Sequence, residues 1–344
     1  MIKRTIHRLA LNVEGFADRL FHRTASGRVI DAYIGYTTPE HVVLRGRVLS
    51  KLRHATAVAG QSRLANMRQM IGMFLTEDVR GVAVKCNDIE TVTDEEGYFT
   101  ILLPADSRTG WSTEQLLVEG SNAVTHCRVM APRADAKFMV ISDIDDTMLE
   151  TGAYSLPRNL YTSFTGHAGS RIVFKDAVEL MKRLNDDGRN PVYYVSSSPW
   201  NLHDFLMNIF ERTALIVGPM FLRDLGLSET KFITEGHGNH KGESIDQILA
   251  ANPNLPAILL GDTGQHDTSI YTDVIRRHEK RVIAVGLRTP GSGLDEADRM
   301  DLAALAETGV PYFAATDFKN FIKRLTDENP DALACLKRST DAAR

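Results

Sequence analysis

From residue 137 to the high 280s, short apolar runs alternate with amphipathic stretches, and this rhythm limits the possible folds more than any other feature of the chain. The runs are KFMVIS, PVYYVS, PAILLG and RVIAVGL. Between them KDAVELMKRLNDDG, closed by Gly188, then WNLHDFLMNIFER, KGESIDQILAAN and DTSIYTDVIRRHEK place apolar residues at helical spacing. Strands alternating with helices predict an α/β region: a parallel sheet with helices on both faces and right-handed crossovers. In such sheets ligands bind beyond the carboxyl ends of the strands, so the polar residues there are the candidates for chemistry.

The preceding segment has a different texture. Between residues 29 and 135, VIDAYIGY, HVVLRGRVLS, GVAVKCND, GYFTILLP, QLLVEG and AVTHCRVMAP are short, rich in β-branched and aromatic residues, and often alternate apolar with polar. They predict a small all-β sandwich with a helical insert near 56–76; Gly97 closes the DEEG turn with positive φ. Residues 1–28 place Ile2, Ile6, Leu9, Val13, Phe16 and Leu20 on one helical face and carry six Lys/Arg against two acids. Such a basic amphipathic helix either lies on an anionic membrane surface or packs on the protein's own core. The expected division is therefore 1–28 helix, 29–135 β-domain, 136–330 α/β domain and 331–344 tail.

Composition excludes some partners. A net charge of −4 supplies no basic excess for a phosphate backbone, so nucleic acid is not an expected ligand. Cys86, Cys127 and Cys335 are widely spaced and odd in number, as expected of reduced thiols in a cytoplasmic protein. No apolar run reaches the roughly 18 residues of a spanning helix, and the N-terminus lacks the apolar core of a signal peptide. Residues 1–28 are the expected route to any peripheral membrane contact.

Asp143, Ser196 and Asp262 end three of the apolar runs, and Lys241 starts a helix. In an extended segment residues i and i+2 point the same way, so Asp143 and Asp145 face one ligand while Asp146 points elsewhere. Two such carboxylates repel a phosphate dianion, each pair of unit charges by about 4 kcal/mol at about 4 Å and an effective dielectric of about 20. A phosphorylated substrate therefore calls for a cation, and hard oxygen ligands suit Mg2+.

The pattern DIDDT at 143–147, VSSSP at 195–199, Lys241 and GDTGQHD at 261–267 resembles the four ordered motifs of the haloacid dehalogenase superfamily. The resemblance implies a Rossmannoid sheet and makes Asp143 a nucleophile that forms an aspartyl-phosphate. Asp145 would serve as acid then base, with its backbone carbonyl on Mg2+, and Thr147 would brace the loop. Ser196, with Ser197 and Ser198 as competitors, would hold phosphoryl oxygens. Lys241, with Lys231 and Lys175 as competitors, would offset negative charge. Asp262 would complete the metal site, and Asp267 would support it indirectly or cap a helix. Within that superfamily an acid at Asp145 implies phosphatase or phosphomutase chemistry, with hydrolysis the default because no second phosphoryl acceptor is evident. YVSSSPWNL, PMFLRD, HKGESIDQIL, LLGDTGQHDTSIY and Arg288 further resemble the catalytic domain of the actin-patch-associated phosphatidate phosphatase family. This implies Mg2+-dependent conversion of phosphatidate to diacylglycerol; a soluble phosphometabolite or phosphoprotein is the alternative substrate, and an adaptor on the same scaffold the non-enzymatic one. GVAVKCNDIETVTDEEGYFTILLP is similar to transthyretin-like modules. Ser197, Trp200, Asn201 and Arg223 are expected near the substrate, the stretch 150–172 as a small flap, and His237 and His240 on a solvated loop.

Overall fold

The structure is a computed structural model that describes residues 28–50, 78–150, 173–223 and 239–328. The expected N-terminal helix up to residue 27, the helical insert, the flap from 151, the loop bearing Lys231 and His237, and the C-terminal tail with Cys335 lie outside the described residues.

Among the described residues eight strands precede the α/β region: β1 (Val29–Ala32), β2 (Gly35–Thr37), β3 (His41–Leu49), β4 (Ala83–Cys86), β5 (Ile89–Val92), β6 (Tyr98–Pro104), β7 (Gly110–Val118) and β8 (Thr125–Ala131). Their alternation is visible in β6, where Phe99, Ile101 and Leu103 are buried between exposed neighbours. The turn before β6 uses Gly97 at φ +77°, which a side chain would strain. These strands form one continuous curled sheet in the order β1-β3-β2-β8-β7-β4-β5, with β6 on the other side of β3. The expected pair of facing sheets is corrected on this point. The reason is β3, whose nine residues pair with β6 along one edge and with β1 and β2 along the other, so the strands join into a single path. The sheet wraps a core of Ile30, Leu44, Val84, Ile101, Leu116 and Val129. Cys86 and Cys127 are buried free thiols.

The α/β region has a six-stranded sheet in the order β11-β10-β9-β12-β13-β14. Its members are β9 (Met139–Asp143), β10 (Val192–Pro199), β11 (Met220–Arg223), β12 (Ala257–Asp262), β13 (Val282–Arg288) and β14 (Tyr312–Ala315). Every neighbouring pair is parallel. β9 and β12 are buried at every position, as a sheet covered on both faces requires. Successive residues serve opposite cores. Val140, Tyr194, Ile258 and Leu260 pack with helices α1 (Lys175–Asn185), α2 (His203–Thr213) and α6 (Phe321–Glu328). Ile141, Tyr193, Val195 and Leu259 face α3 (Asn239–Ala251), α4 (Asp267–Arg277) and α5 (Glu296–Ala306). The second core also takes in Ile34, Tyr36, Val43 and Met130 from the curled sheet, so the two sheets share a continuous apolar interior.

Strands β11 and β14, four residues each, add one edge to either side of the four strands expected from the apolar runs. WNL at 200–202 forms a 3-10 turn before α2. No helix among the described residues is long and apolar enough to cross a membrane.

Candidate active site

β9 and β12 lie side by side and end at Asp143 and Asp262, which brings these two carboxylates to the same edge of the sheet. Asp267 opens α4 and turns back toward them, so Asp143, Asp262 and Asp267 each place a carboxylate oxygen within 4.8 Å of the others. All three are buried. Lys241, in the first turn of α3, sets Nζ 2.8 Å from Asp143 Oδ1 and 2.5 Å from Asp267 Oδ1. Of the three lysines weighed for this place, Lys241 is the one in it: Lys175 is exposed at the start of α1, and Lys231 lies outside the described residues.

Electrostatics follow from burial and neighbours. Removal from water works against the Lys241 charge, but Asp143 and Asp267 outweigh it and raise its pKa, so it remains a cation. Burial pushes the Asp143 carboxyl well up; Lys241 pulls it back, while Asp267, Asp145 and Asp262 push further. Asp262 is raised to about 8, by burial first and then by Asp267, with Lys241 opposing. Among the described residues Asp262 Oδ2 is buried without a hydrogen-bond partner. A buried acidic oxygen left unpaired beside a second carboxylate is an arrangement that a divalent cation would relieve. Asp267 differs: Oδ1 takes Lys241, and Oδ2 takes the Asp262 backbone N–H at 3.3 Å. Both its oxygens are committed to bracing the groups around it.

The loop after β9 folds back on itself. Met148 and Leu149 N–H donate to Ile144 O at 3.0 and 2.9 Å, and Thr147 Oγ1 donates to Asp143 Oδ2 at 3.1 Å. Arg288, aligned with Asp262 at the end of β13, donates from Nε to Thr147 O at 3.2 Å. Its other nitrogens reach Asp176 Oδ2 at 2.8 Å and Thr316 O at 2.9 Å, and Phe174 and Phe318 cover its faces.

Asp145 does not point into the carboxylate cluster. Ser196 Oγ and Ser198 Oγ both donate to its Oδ2, at 2.7 and 2.8 Å, and its Oδ1 is buried without a hydrogen-bond partner among the described residues. Burial raises the Asp145 pKa, and the two serine hydrogen bonds oppose that rise. Ser198, weighed only as a competitor of Ser196, thus joins the same group. Its signal was the i, i+2 alternation, since Ser196 and Ser198 are buried while Ser197 between them is exposed. The other candidate contacts spread out. Trp200 is half-buried and stacked on Tyr33 from the curled sheet, Asn201 lies in the 3-10 turn, and Arg223 ends β11 opposite Pro199. His240 is half-buried at the start of α3. Arg288 entered the sequence reading as part of a pattern only; Asp176 and Gln265 were missed, being single polar residues in a helix and a loop.

Two relatives match part of the chain. The phosphatidate phosphatase APP1 of Saccharomyces cerevisiae is 27% identical over 168 residues, covering 49% of this chain and 28% of that protein. An uncharacterised protein of Schizosaccharomyces pombe is 24% identical over 213 residues, covering 58% of this chain and 34% of that protein. The match thus spans about a third or less of either relative's own length. Among solved structures, a carbohydrate acetylesterase from Xanthomonas citri aligns at a TM-score of 0.30 and 10% identity over 85% of this chain and 69% of that one, too distant to carry an argument. Residues 138–289, which hold Asp143, Asp145, Ser196, Lys241, Asp262, Asp267 and Arg288, match the family described as the phosphatidate phosphatase APP1 catalytic domain.

Proposed function

We propose that this chain is a Mg2+-dependent phosphatase of the haloacid dehalogenase type that acts on a phosphomonoester, with phosphatidate as the substrate. The observation that carries this reading is the buried set at the strand ends: Asp143 held by Lys241 and Thr147, beside an Asp262 oxygen that has no hydrogen-bond partner among the described residues. The family match over the same residues, and the activity in the name of the yeast relative, support the lipid substrate.

Asp143 and Asp262 would hold the ion, with the Asp145 carbonyl, while Asp267 braces them from behind. When bound, Mg2+ would screen these carboxylates from the phosphoryl group and draw charge from its oxygens. Thr147 and Lys241 orient the Asp143 carboxylate, one oxygen each, for attack on phosphorus. A bond forms from Asp143 oxygen to phosphorus as the ester P–O bond breaks, and Asp145 gives its proton to the departing alcohol oxygen. The upward shift of Asp145 keeps that proton available at higher pH than an exposed carboxyl would. Water then attacks the phosphorus of the acyl phosphate, passing its proton to Asp145, and inorganic phosphate leaves as the Asp143 carboxylate is restored. Ser196 and Ser198 aim Asp145 through both steps. The protein would meet its lipid as a cytoplasmic enzyme at a membrane surface.

The test is phosphate release by the full chain with Mg2+ from phosphatidate in mixed micelles, from sugar phosphates and from a phosphopeptide. Release from phosphatidate above the others is expected. Preference for a soluble ester would move the substrate class, and no release from any of them would favour the adaptor.

A further inference from the structure

The strand that carries Ser196 and Ser198 leaves its regular pairing where those residues occur. β10 pairs with β11 at Tyr194 and Val195, then shifts register before Pro199 meets Arg223. Ladder hydrogen bonds to β11 therefore do not fix the serine segment along its length. Its downstream end is instead held from the curled sheet. The Tyr33 ring lies flat on Trp200, with centroids 4.3 Å apart and planes 10° from parallel. Tyr33 also meets His203, the first residue of α2, at 4.4 Å. From β3, Arg45 places its guanidinium over Trp200 at 5.4 Å, Phe221 at 4.5 Å and Tyr36 at 5.1 Å, and donates to Met220 O at 3.1 Å. No carboxylate pairs with Arg45 among the described residues, and its Nε has no hydrogen-bond partner. The aromatic faces are thus the main compensation for its charge, and each lies within the reach of a cation–π contact. Tyr36 extends the contact to a third catalytic element by accepting from Gln247 Nε2 at 3.2 Å, on α3, the helix that carries Lys241 in its first turn.

We infer that the β-domain is a working part of the active site: Tyr33 and Arg45 are positioning residues that clamp Trp200 and thereby hold Ser196 and Ser198 against Asp145. This rests on the reading of those serines as active-site groups. Among the described residues the Tyr33 hydroxyl has no hydrogen-bond partner although it is buried, so the ring face is what the clamp uses. A phenylalanine there preserves the stack, and a leucine removes it.

The experiment compares Tyr33→Leu, Tyr33→Phe and wild type in the full chain by two readings: amide hydrogen exchange of peptides covering 195–200, and steady-state phosphate release. In Tyr33→Leu, exchange in 195–200 is expected to quicken while β9 and β12 stay protected, and kcat to fall about tenfold with KM changed less than about twofold. Tyr33→Phe is expected to restore both. Unchanged exchange in Tyr33→Leu, or faster exchange with unaltered kcat, would overturn the inference. So would a leucine-like loss in Tyr33→Phe. If Tyr33→Leu does not fold, Trp200→Leu removes the other half of the stack and is judged by the same readings. Absence of phosphatase activity in the wild type would count against the proposed function, whereas the exchange measurement would still decide whether the clamp holds the segment.

Discussion

Gln265 Nε2 donates to Asp146 Oδ2 across 3.0 Å and ties the loop after β12 to the loop after β9. Asp146 sits at φ +55°, and its N–H donates to Leu149 O at 2.7 Å, so the side chain turns away from the cluster and toward the neighbouring loop. The residue expected to point elsewhere does so, and what it reaches is the loop that joins Asp262 to Asp267. Asp146→Gly keeps the left-handed backbone available while deleting the link. It is expected to weaken the apparent Mg2+ affinity about tenfold, read from initial rates against Mg2+ concentration.

Buried Arg288 and partly buried Asp176 form a pair at 2.8 Å that also anchors Thr147 O and the Phe318 N–H. Asp176→Asn leaves the guanidinium without its counter-charge. The expected cost is about 3 kcal/mol of unfolding free energy, measured by urea denaturation, because removal of one partner strands the other.

Gly261 precedes Asp262, and a Cβ there would stand 2.6 Å from Asp267 Oδ2 and 2.7 Å from the Tyr271 hydroxyl. Both are buried, so a shift of either must displace packed neighbours. Gly261→Ala is expected to lower stability by about 1–3 kcal/mol and to displace Asp267 from Lys241. A titration of Mg2+ by calorimetry should show weaker binding than in wild type.

Stability in EDTA should fall as pH rises. Asp262 is raised from 3.8 to about 8 by burial and by Asp267, so between those values the folded state binds a proton that the unfolded state has lost. That contribution is present below the unfolded pKa and disappears as pH climbs through the folded one. The melting temperature is therefore expected to decline between about pH 5 and about pH 8. Asp262→Asn should flatten the decline, and Mg2+ should stabilise the wild type more at the upper end, where the carboxylate is free to bind it.

The parts of this fold that sequence revealed were those with a repeating physical signal. Strands β9, β10, β12 and β13 are apolar runs in a covered sheet, and Asp143, Ser196 and Asp262 stand where those runs stop. Lys241 came from the order of motifs and stands against Asp143. The single curled sheet was not legible, because alternation along a strand says which face is buried but not which strands close a path. Arg45 and Tyr33 read as ordinary strand residues, and only the packing of the two sheets shows them against Trp200. Ser198 was legible in principle, since the alternation that paired Asp143 with Asp145 also pairs it with Ser196.

The central claim is that Asp143 attacks a phosphoryl group at a Mg2+ site. Phosphate release from phosphatidate by wild type and Asp143→Asn, each with Mg2+ and with EDTA, tests it most directly. Release by the wild type with Mg2+ alone is expected, with none from the variant or in EDTA. Activity that persists in EDTA, or that Asp143→Asn retains, would contradict it.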